Sequence, residues 1–134
     1  MGIASSWGLI HNNGRFLFIR RSERTSRPGE WCPPGGRRAS DESGEEACIR
    51  AVMEDVKLPV KVDKLISEEL GNYFYLCSLD TTSDEPQLSE EAANAFHWIE
   101  PRALIGLGSI MELKQMKRVF DKLGYEIEFP PCMH

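Results

Sequence analysis

The residues whose types and spacing could do chemistry lie between Gly36 and Asp55. Glu42 follows Gly36 after five intervening residues, and Arg50 follows Glu42 after seven. Glu54 and Asp55 lie three and four residues beyond position 51, which predicts one shared helix face. Carboxylates there are hard oxygen ligands of the kind that Mg²⁺ or Mn²⁺ prefers. The segment therefore predicts metal-assisted chemistry on a pyrophosphate, with Arg50 and Glu42 orienting the carboxylates.

This spacing resembles the Nudix hydrolase box, G-x5-E-x7-R-E-U-x-E-E-x-G-U, in which U is a bulky aliphatic residue. The match covers residues 36–58, and the lead-in of Trp31 and Pro34-Gly35-Gly36 is frequent in that family. The resemblance implies an α+β fold, an α/β/α sandwich with a mixed sheet between helices. It also implies a Mg²⁺-dependent (or Mn²⁺-dependent) hydrolase that cleaves a phosphoanhydride of a nucleoside diphosphate linked to another moiety.

The same resemblance implies roles for individual residues. Gly36, Glu54 and Asp55 are the expected metal-binding residues, and Arg50 and Glu42 are expected to support them in catalysis. The turn at Gly35 and Gly36 is expected to bring backbone close to the anion through a positive φ.

Two positions depart from the family pattern. Ala51 stands where the box has the Glu that follows the Arg, and Lys57 stands where it has Gly. Three explanations of Ala51 stay open: an engineered replacement made to trap substrate, a natural enzyme with its base outside the box, or a non-catalytic nucleotide-binding relative. For the second, Glu90 and Glu91 are the candidate bases, because similar proteins bring this loop near the box helix.

Residues before the box and on later strands are candidates for holding substrate. Guanidinium groups offer paired donors to phosphate oxygens, and tyrosine rings can stack on a base or sugar. The candidates are Arg20, Arg24, Arg27, Arg37, Tyr73 and Tyr75.

Charge is distributed unevenly along the chain. Residues 15–38 carry seven arginines against Glu23 and Glu30, although the whole chain has a net charge of −5. A basic stretch in an acidic chain favours a local anionic ligand, such as a nucleotide or nucleotide sugar, over a general nucleic-acid surface. The acidity also argues against an mRNA-type 5′ pyrophosphohydrolase.

Strands and two helices must position these groups. Alternation and turn signals predict strands at 3–10, 15–21, 61–69, 72–79 and 95–100, and the turn at 11–14 predicts a hairpin. Ser43 and Glu46 form a capping box that begins a helix with apolar positions including Ile49, and Pro59 ends it. Residues 80–91 are expected to form an acidic loop, Pro101 to open a short helix, and 109–123 to form the last helix.

Composition limits the class of protein. The 134 residues suit a single domain over 1–134, and no apolar run approaches the ~18 residues of a membrane helix. The four cysteines lack zinc-site spacing and are expected to be reduced, in a cytoplasmic protein. Residues 1–6 fit a short myristoylation pattern, but a strand is expected to follow without a spacer. A homodimer is also expected, as in many similar proteins.

Two other functions compete with the main hypothesis. A sugar-nucleotide hydrolase of the GDP-mannose type is similar in lacking part of the acidic box, and its lead-in resembles Arg27-Pro28, Trp31 and 34–37. A Nudix-like module that binds a nucleotide without hydrolysing it is the non-enzymatic alternative.

Overall fold

The computed structural model describes residues 4–129, which form a mixed sheet with a helix on either side. The myristoylation pattern at 1–6 and Cys132 fall partly or wholly outside these residues. No helix within 4–129 is long and apolar enough to cross a bilayer. The strands are β1 (Ser5–Asn12), β2 (Arg15–Arg21), β3 (Trp31–Cys32), β4 (Gly35–Arg37), β5 (Val60–Glu69), β6 (Asn72–Leu79) and β7 (Ala93–Ile99); the helices are α1 (Gly44–Val56), a 3₁₀ helix (Pro101–Leu107) and α2 (Leu113–Leu123).

The sheet opens between its first two strands. β1 and β2 pair only beside the hairpin turn, where His11 faces Phe16 and Asn12 faces Arg15. Further along, β1 pairs with β4 and lies parallel to β6, whereas β2 pairs with β3 and β7. The two strands therefore diverge, and the gap between them becomes one side of a cleft.

The helices cover opposite faces of the sheet. Gly8 faces α1, because a Cβ built there would lie 3.0 Å from Val52 Cγ2. His11, three residues on, points to the other face, where its partner Phe16 packs edge-on against Phe120 of α2 at 5.1 Å between ring centroids. The predicted arrangement of a mixed sheet between helices is confirmed.

Local signals predicted several element boundaries well. Ser43 and Glu46 make both hydrogen bonds of the capping box at the start of α1. The predicted strands at 15–21 and 72–79 coincide with β2 and β6, and the hairpin turn places Asn13 and Gly14 at positive φ. Cys32, Cys48 and Cys77 are buried free thiols, as expected.

Three expectations need correction. Gly35 and Gly36 lie in strand β4 and do not adopt positive φ. Glycine is required at position 35 because a Cβ there would overlap the Ser6 carbonyl oxygen of the neighbouring strand. Ile49 does not join the buried face of α1 but is exposed. Helix α2 begins at residue 113 instead of 109, because residues 109–111 hydrogen-bond to the backbone of Trp31 beside β3.

Lys57 ends α1 in the left-handed conformation, with φ 59° and ψ 31°. An L-residue with a Cβ is strained there, whereas glycine is not. We expect Lys57→Gly to raise the free energy of unfolding by about 1 kcal/mol in urea titrations. Lys122→Gly, inside α2, is the matched control and should lower it by up to about 1 kcal/mol. A Lys57→Gly variant that is less stable than the parent chain would contradict this interpretation.

Candidate functional site

A cleft of about 350 Å³ lies where the sheet opens. Its lining includes the charged side chains of Arg21, Arg37 and Asp55 and the apolar side chains of Trp7 and Met111. The cleft thus offers both charged and apolar side chains to one ligand. The complete lining is Ser5, Trp7, Ile19, Arg21, Thr25, Ser26, Arg27, Cys32, Gly35, Gly36, Arg37, Asp55, Asn72, Ala92, Met111 and Glu112.

Arg50 ties the box segment together beside this cleft. Its Nε and Nη2 donate to the two carboxylate oxygens of Glu42 at 2.6 and 2.9 Å, and its Nη1 donates to Glu54 at 2.6 Å. Nη2 also donates to the Arg37 carbonyl oxygen at 2.7 Å. The hydrogen bond from Arg50 lowers the pKa of Glu42, and a second one from the Ala39 amide acts in the same direction. The guanidinium therefore joins β4, the following loop and α1.

Asp55 is the box carboxylate that reaches the cleft. Its Oδ2 accepts a hydrogen bond from the Gly35 amide at 3.0 Å. Burial raises the pKa of Asp55 to about 6, and the nearby Glu54 charge acts in the same direction. The Gly35 amide and the Arg21 guanidinium oppose this shift, because both favour the ionised carboxylate.

Only some of the predicted arginines reach the cleft. Arg27 and Arg37 line it, and Arg27 Nη1 forms an ion pair with Glu112 at 2.6 Å. Arg20 points to the other face of the sheet, where its Nε donates to Asn94 at 2.7 Å. Arg24 is exposed and lies 3.8 Å from the Glu91 carboxylate.

The two tyrosines face α1 and do not line the cleft. Tyr73 and Tyr75 pair in register with Ser6 and Gly8, so they share the sheet face that α1 covers. Tyr75 is buried, and a Cβ at Gly44 would overlap its hydroxyl group. Neither ring belongs to the cleft lining.

Glu90 and Glu91 lie close to the cleft but have exposed side chains. Their loop is tied to the end of α1, because the Ser89 amide donates to the Asp55 carbonyl oxygen at 2.9 Å. Ser22 Oγ donates to the Glu91 carbonyl oxygen at 2.7 Å, and the next residue, Ala92, lines the cleft. Neither carboxylate belongs to the lining itself.

Comparisons with known proteins identify the family. The model of the NUDIX domain matches residues 3–123. The chain belongs to the Nudix family. No curated protein is significantly similar to it in sequence.

Solved Nudix structures share the fold at low identity. A MutT protein from Methanosarcina mazei is 22% identical, with a TM-score of 0.71 over 91% of this chain and 93% of that chain. An ADP-ribose pyrophosphatase from Streptococcus suis is 16% identical, with a TM-score of 0.68 over 96% and 97%. An Ap4A hydrolase from C. elegans is 22% identical, with a TM-score of 0.67 over 92% and 100%.

The Nudix box of this chain lacks a carboxylate at position 51. Ala51 is buried against β4, and a Cβ built at Gly36 would lie 3.4 Å from the Ala51 Cβ. Glu54 turns outward to Arg50 and Asp55 turns to Gly35, so the two adjacent carboxylates diverge. A carboxylate at position 51 would be a helix neighbour of both, and alanine supplies none.

The described residues accordingly offer few side-chain ligands for a metal ion. Within residues 4–129, no group of three or more His, Cys, Asp or Glu side chains could hold a metal ion. Mg²⁺ commonly uses one or two carboxylates and takes its remaining ligands from water and substrate phosphates. Glu54 and Asp55 fit that mode of binding. They are too few to form a metal site from protein side chains alone.

Several cleft residues were missed by sequence reasoning. Arg21 lines the cleft. The alternation of side chains along β2 could have indicated this, because Arg21 shares a face of the strand with the cleft residue Ile19. Glu112 and Asn72 lie at the starts of α2 and β6, and no local sequence pattern brings them together.

Asp55 makes stability depend on pH. Its pKa is higher in the folded Nudix domain than the ordinary value of about 3.9, so without divalent ions stability falls as pH rises from about 4 to about 6. Asp55→Asn keeps an oxygen for the Gly35 amide and removes the charge. We expect this variant to be more stable than the parent chain by about 1–2 kcal/mol at pH 7.5, and similar near pH 4.

The measurement is urea unfolding in EDTA at both pH values. Asp41→Asn, at an exposed loop position, is the control and should match the parent chain. If Asp55→Asn were less stable than the parent chain at pH 7.5, the prediction would be contradicted, because the ionised carboxylate would then stabilise the fold.

Proposed function

We propose that this Nudix domain is a Mg²⁺-dependent hydrolase that splits the phosphoanhydride of a nucleoside diphosphate linked to another moiety. The observation that carries the proposal is a single cleft lined both by the charged side chains of Arg21, Arg37 and Asp55 and by the apolar side chains of Trp7 and Met111. A nucleotide has the same two-part character, since a charged pyrophosphate is joined to a flat base. Two proteins that share the fold, the ADP-ribose pyrophosphatase and the Ap4A hydrolase, are named for substrates of this class.

The arginines would bind and orient the phosphates. In hydrolysis the water oxygen bonds to phosphorus, the bridging phosphorus–oxygen bond breaks, and the leaving phosphate keeps the electron pair. Guanidinium donors fixed beside the non-bridging oxygens neutralise the charge of this arrangement. Arg21 is well fixed for that role, because its Nε donates to the Ser26 carbonyl oxygen at 2.7 Å.

The carboxylates have separate roles. Glu54 and Asp55 would hold Mg²⁺ together with substrate phosphate oxygens, and the ion would polarise the phosphoryl group when bound. A further base must accept the proton of the attacking water. Glu91 and Glu90 are our candidates, since Glu91 precedes the cleft residue Ala92 and Ala51 cannot serve. A cytoplasmic location and a homodimer remain predictions from the sequence.

The alternative is a module that binds a nucleotide without hydrolysing it. Ala51 supports this second candidate, because it removes the carboxylate that would join Glu54 and Asp55 on the helix. Tight metal-dependent binding without turnover would favour the binding module over the enzyme.

The test is nucleotide release with Mg²⁺ from a panel of ADP-, UDP- and GDP-linked compounds, comparing the parent chain with Ala51→Glu. We expect the parent chain to turn over at least one compound and Ala51→Glu to raise its rate at least about tenfold, because the added carboxylate would join Glu54 and Asp55 in holding the metal. Preference for GDP-mannose would select the sugar-nucleotide hydrolase.

Three other outcomes would change the proposal. Equal rates in both forms would show that a carboxylate at position 51 adds nothing to metal binding, and Glu90→Gln and Glu91→Gln would then test the proposed base. Activity confined to Ala51→Glu would make the parent chain a disabled enzyme. Absence of turnover in both, with binding retained, would support the binding module.

Adjacent arginines on opposite faces of β2 provide a matched test of phosphate binding. Arg21 lines the cleft and Arg20 does not. We expect Arg21→Gln to weaken pyrophosphate binding at least about tenfold, as loss of a charged hydrogen bond does. Arg20→Gln should stay within about twofold of the parent chain. Calorimetry with Mg²⁺ measures both, and equal losses would exclude a specific role for Arg21.

A further inference from the structure

Three side chains form a hydrogen-bonded chain at the cleft. Trp7 Nε1 donates to Asn72 Oδ1 at 2.9 Å, and Asn72 Nδ2 donates to Gln115 Oε1 at 3.1 Å. Trp7 and Asn72 line the cleft, whereas Gln115 of α2 is buried behind them. The register that pairs Ser5 with Asn72 puts Asn72 on the same sheet face as Trp7.

The direction of this chain is fixed by the indole. A tryptophan side chain can only donate a hydrogen bond, so the group facing it must be the Asn72 carbonyl oxygen. The Asn72 NH₂ group then faces Gln115, which must present its own carbonyl oxygen. An unconstrained asparagine can exchange its two ends by rotating, but Asn72 would lose the hydrogen bond from Trp7 by doing so, because the indole cannot accept one.

Within residues 4–129, one donor and one acceptor of the Asn72 amide have no hydrogen-bond partner. An amide has two N–H groups and two oxygen lone pairs, and the chain uses one of each. Asn72 is partly exposed and lines the cleft, so a ligand can reach this residue. A bound group therefore meets a donor and an acceptor in a fixed order.

We propose that Asn72, locked by Trp7 and Gln115, makes this cleft distinguish amino-type from keto-type nucleobases. Adenine and cytosine present an exocyclic amino donor beside a ring-nitrogen acceptor. Guanine, hypoxanthine and uracil present a carbonyl acceptor beside a ring N–H donor. An amide that rotates freely can pair with either order, whereas a locked amide pairs well with only one. This inference rests on the proposed function, because it takes the ligand to be a nucleotide.

The experiment compares AMP with IMP, two 5′-monophosphates that differ in the amino or keto group at one ring position. Dissociation constants are measured by calorimetry with Mg²⁺ for the parent chain and for Trp7→Phe, which keeps an aromatic ring and removes the N–H. We expect the parent chain to discriminate at least about tenfold between the two nucleotides. In Trp7→Phe the ratio should fall below about threefold, because the amide can then rotate.

Two further variants separate a specific role from loss of structure. Trp98→Phe is the matched control, since the Trp98 N–H donates to the Asp84 carbonyl oxygen outside the cleft. It should keep the full ratio. Asn72→Leu should lose discrimination while keeping its affinity for inorganic pyrophosphate, which also reports that the variant is folded.

The outcomes distinguish failure of this inference from failure of the proposed function on which it rests. Equal binding of AMP and IMP by the parent chain, or an unchanged ratio in Trp7→Phe, would overturn the role of Asn72 and leave the proposed function intact. Failure of the parent chain to bind either nucleotide or pyrophosphate would overturn both.

Discussion

The arrangement of the site depends on the Arg50 guanidinium. It donates to two carboxylates and one backbone carbonyl, which belong to the loop before α1, to α1 itself and to β4. Because these groups come from three segments, the guanidinium fixes where β4 runs relative to the helix. The Gly35 amide then lies within hydrogen-bond distance of Asp55, and the close approach of β4 to Ser6 excludes any side chain at position 35. One cation thus sets the geometry of the box segment, in keeping with the geometric demands of bidentate pairs.

Sequence reasoning succeeded where the signal is local. The capping box at Ser43 and the hairpin turn at Asn13 depend on neighbouring residues, and both formed as predicted. It failed where contacts between distant segments decide the outcome. The start of α2 shifted because Trp31 binds residues 109–111 through its backbone, and that pairing has no signature in the chain itself. The polar chain from Trp7 through Asn72 to Gln115 likewise joins three remote segments.

Divergence of β1 and β2 explains which candidates reach the cleft. Where the strands part, alternate side chains of β2 face the opening, so Arg21 lines it and Arg20 does not. The loop between β6 and β7 closes another side by capping the carbonyl groups at the end of α1. The family box therefore explains why Asp55, Gly35 and Gly36 line the cleft, whereas the divergence of the strands explains why residues such as Arg21 do. Ala51 leaves Glu54 and Asp55 divergent, and the substrate's own phosphates must then complete any metal coordination.

The central claim is that this cleft binds a nucleoside diphosphate through its pyrophosphate, with the metal beside Asp55. The most direct test is a crystal structure of the chain with Mn²⁺ and a methylene-bridged analogue of ADP-ribose, in which anomalous scattering locates the metal. Our account predicts the diphosphate between Arg21, Arg37 and Asp55, and Mn²⁺ within coordination distance of the Asp55 carboxylate. A nucleotide bound in another groove, or Mn²⁺ coordinated away from Asp55, would contradict it.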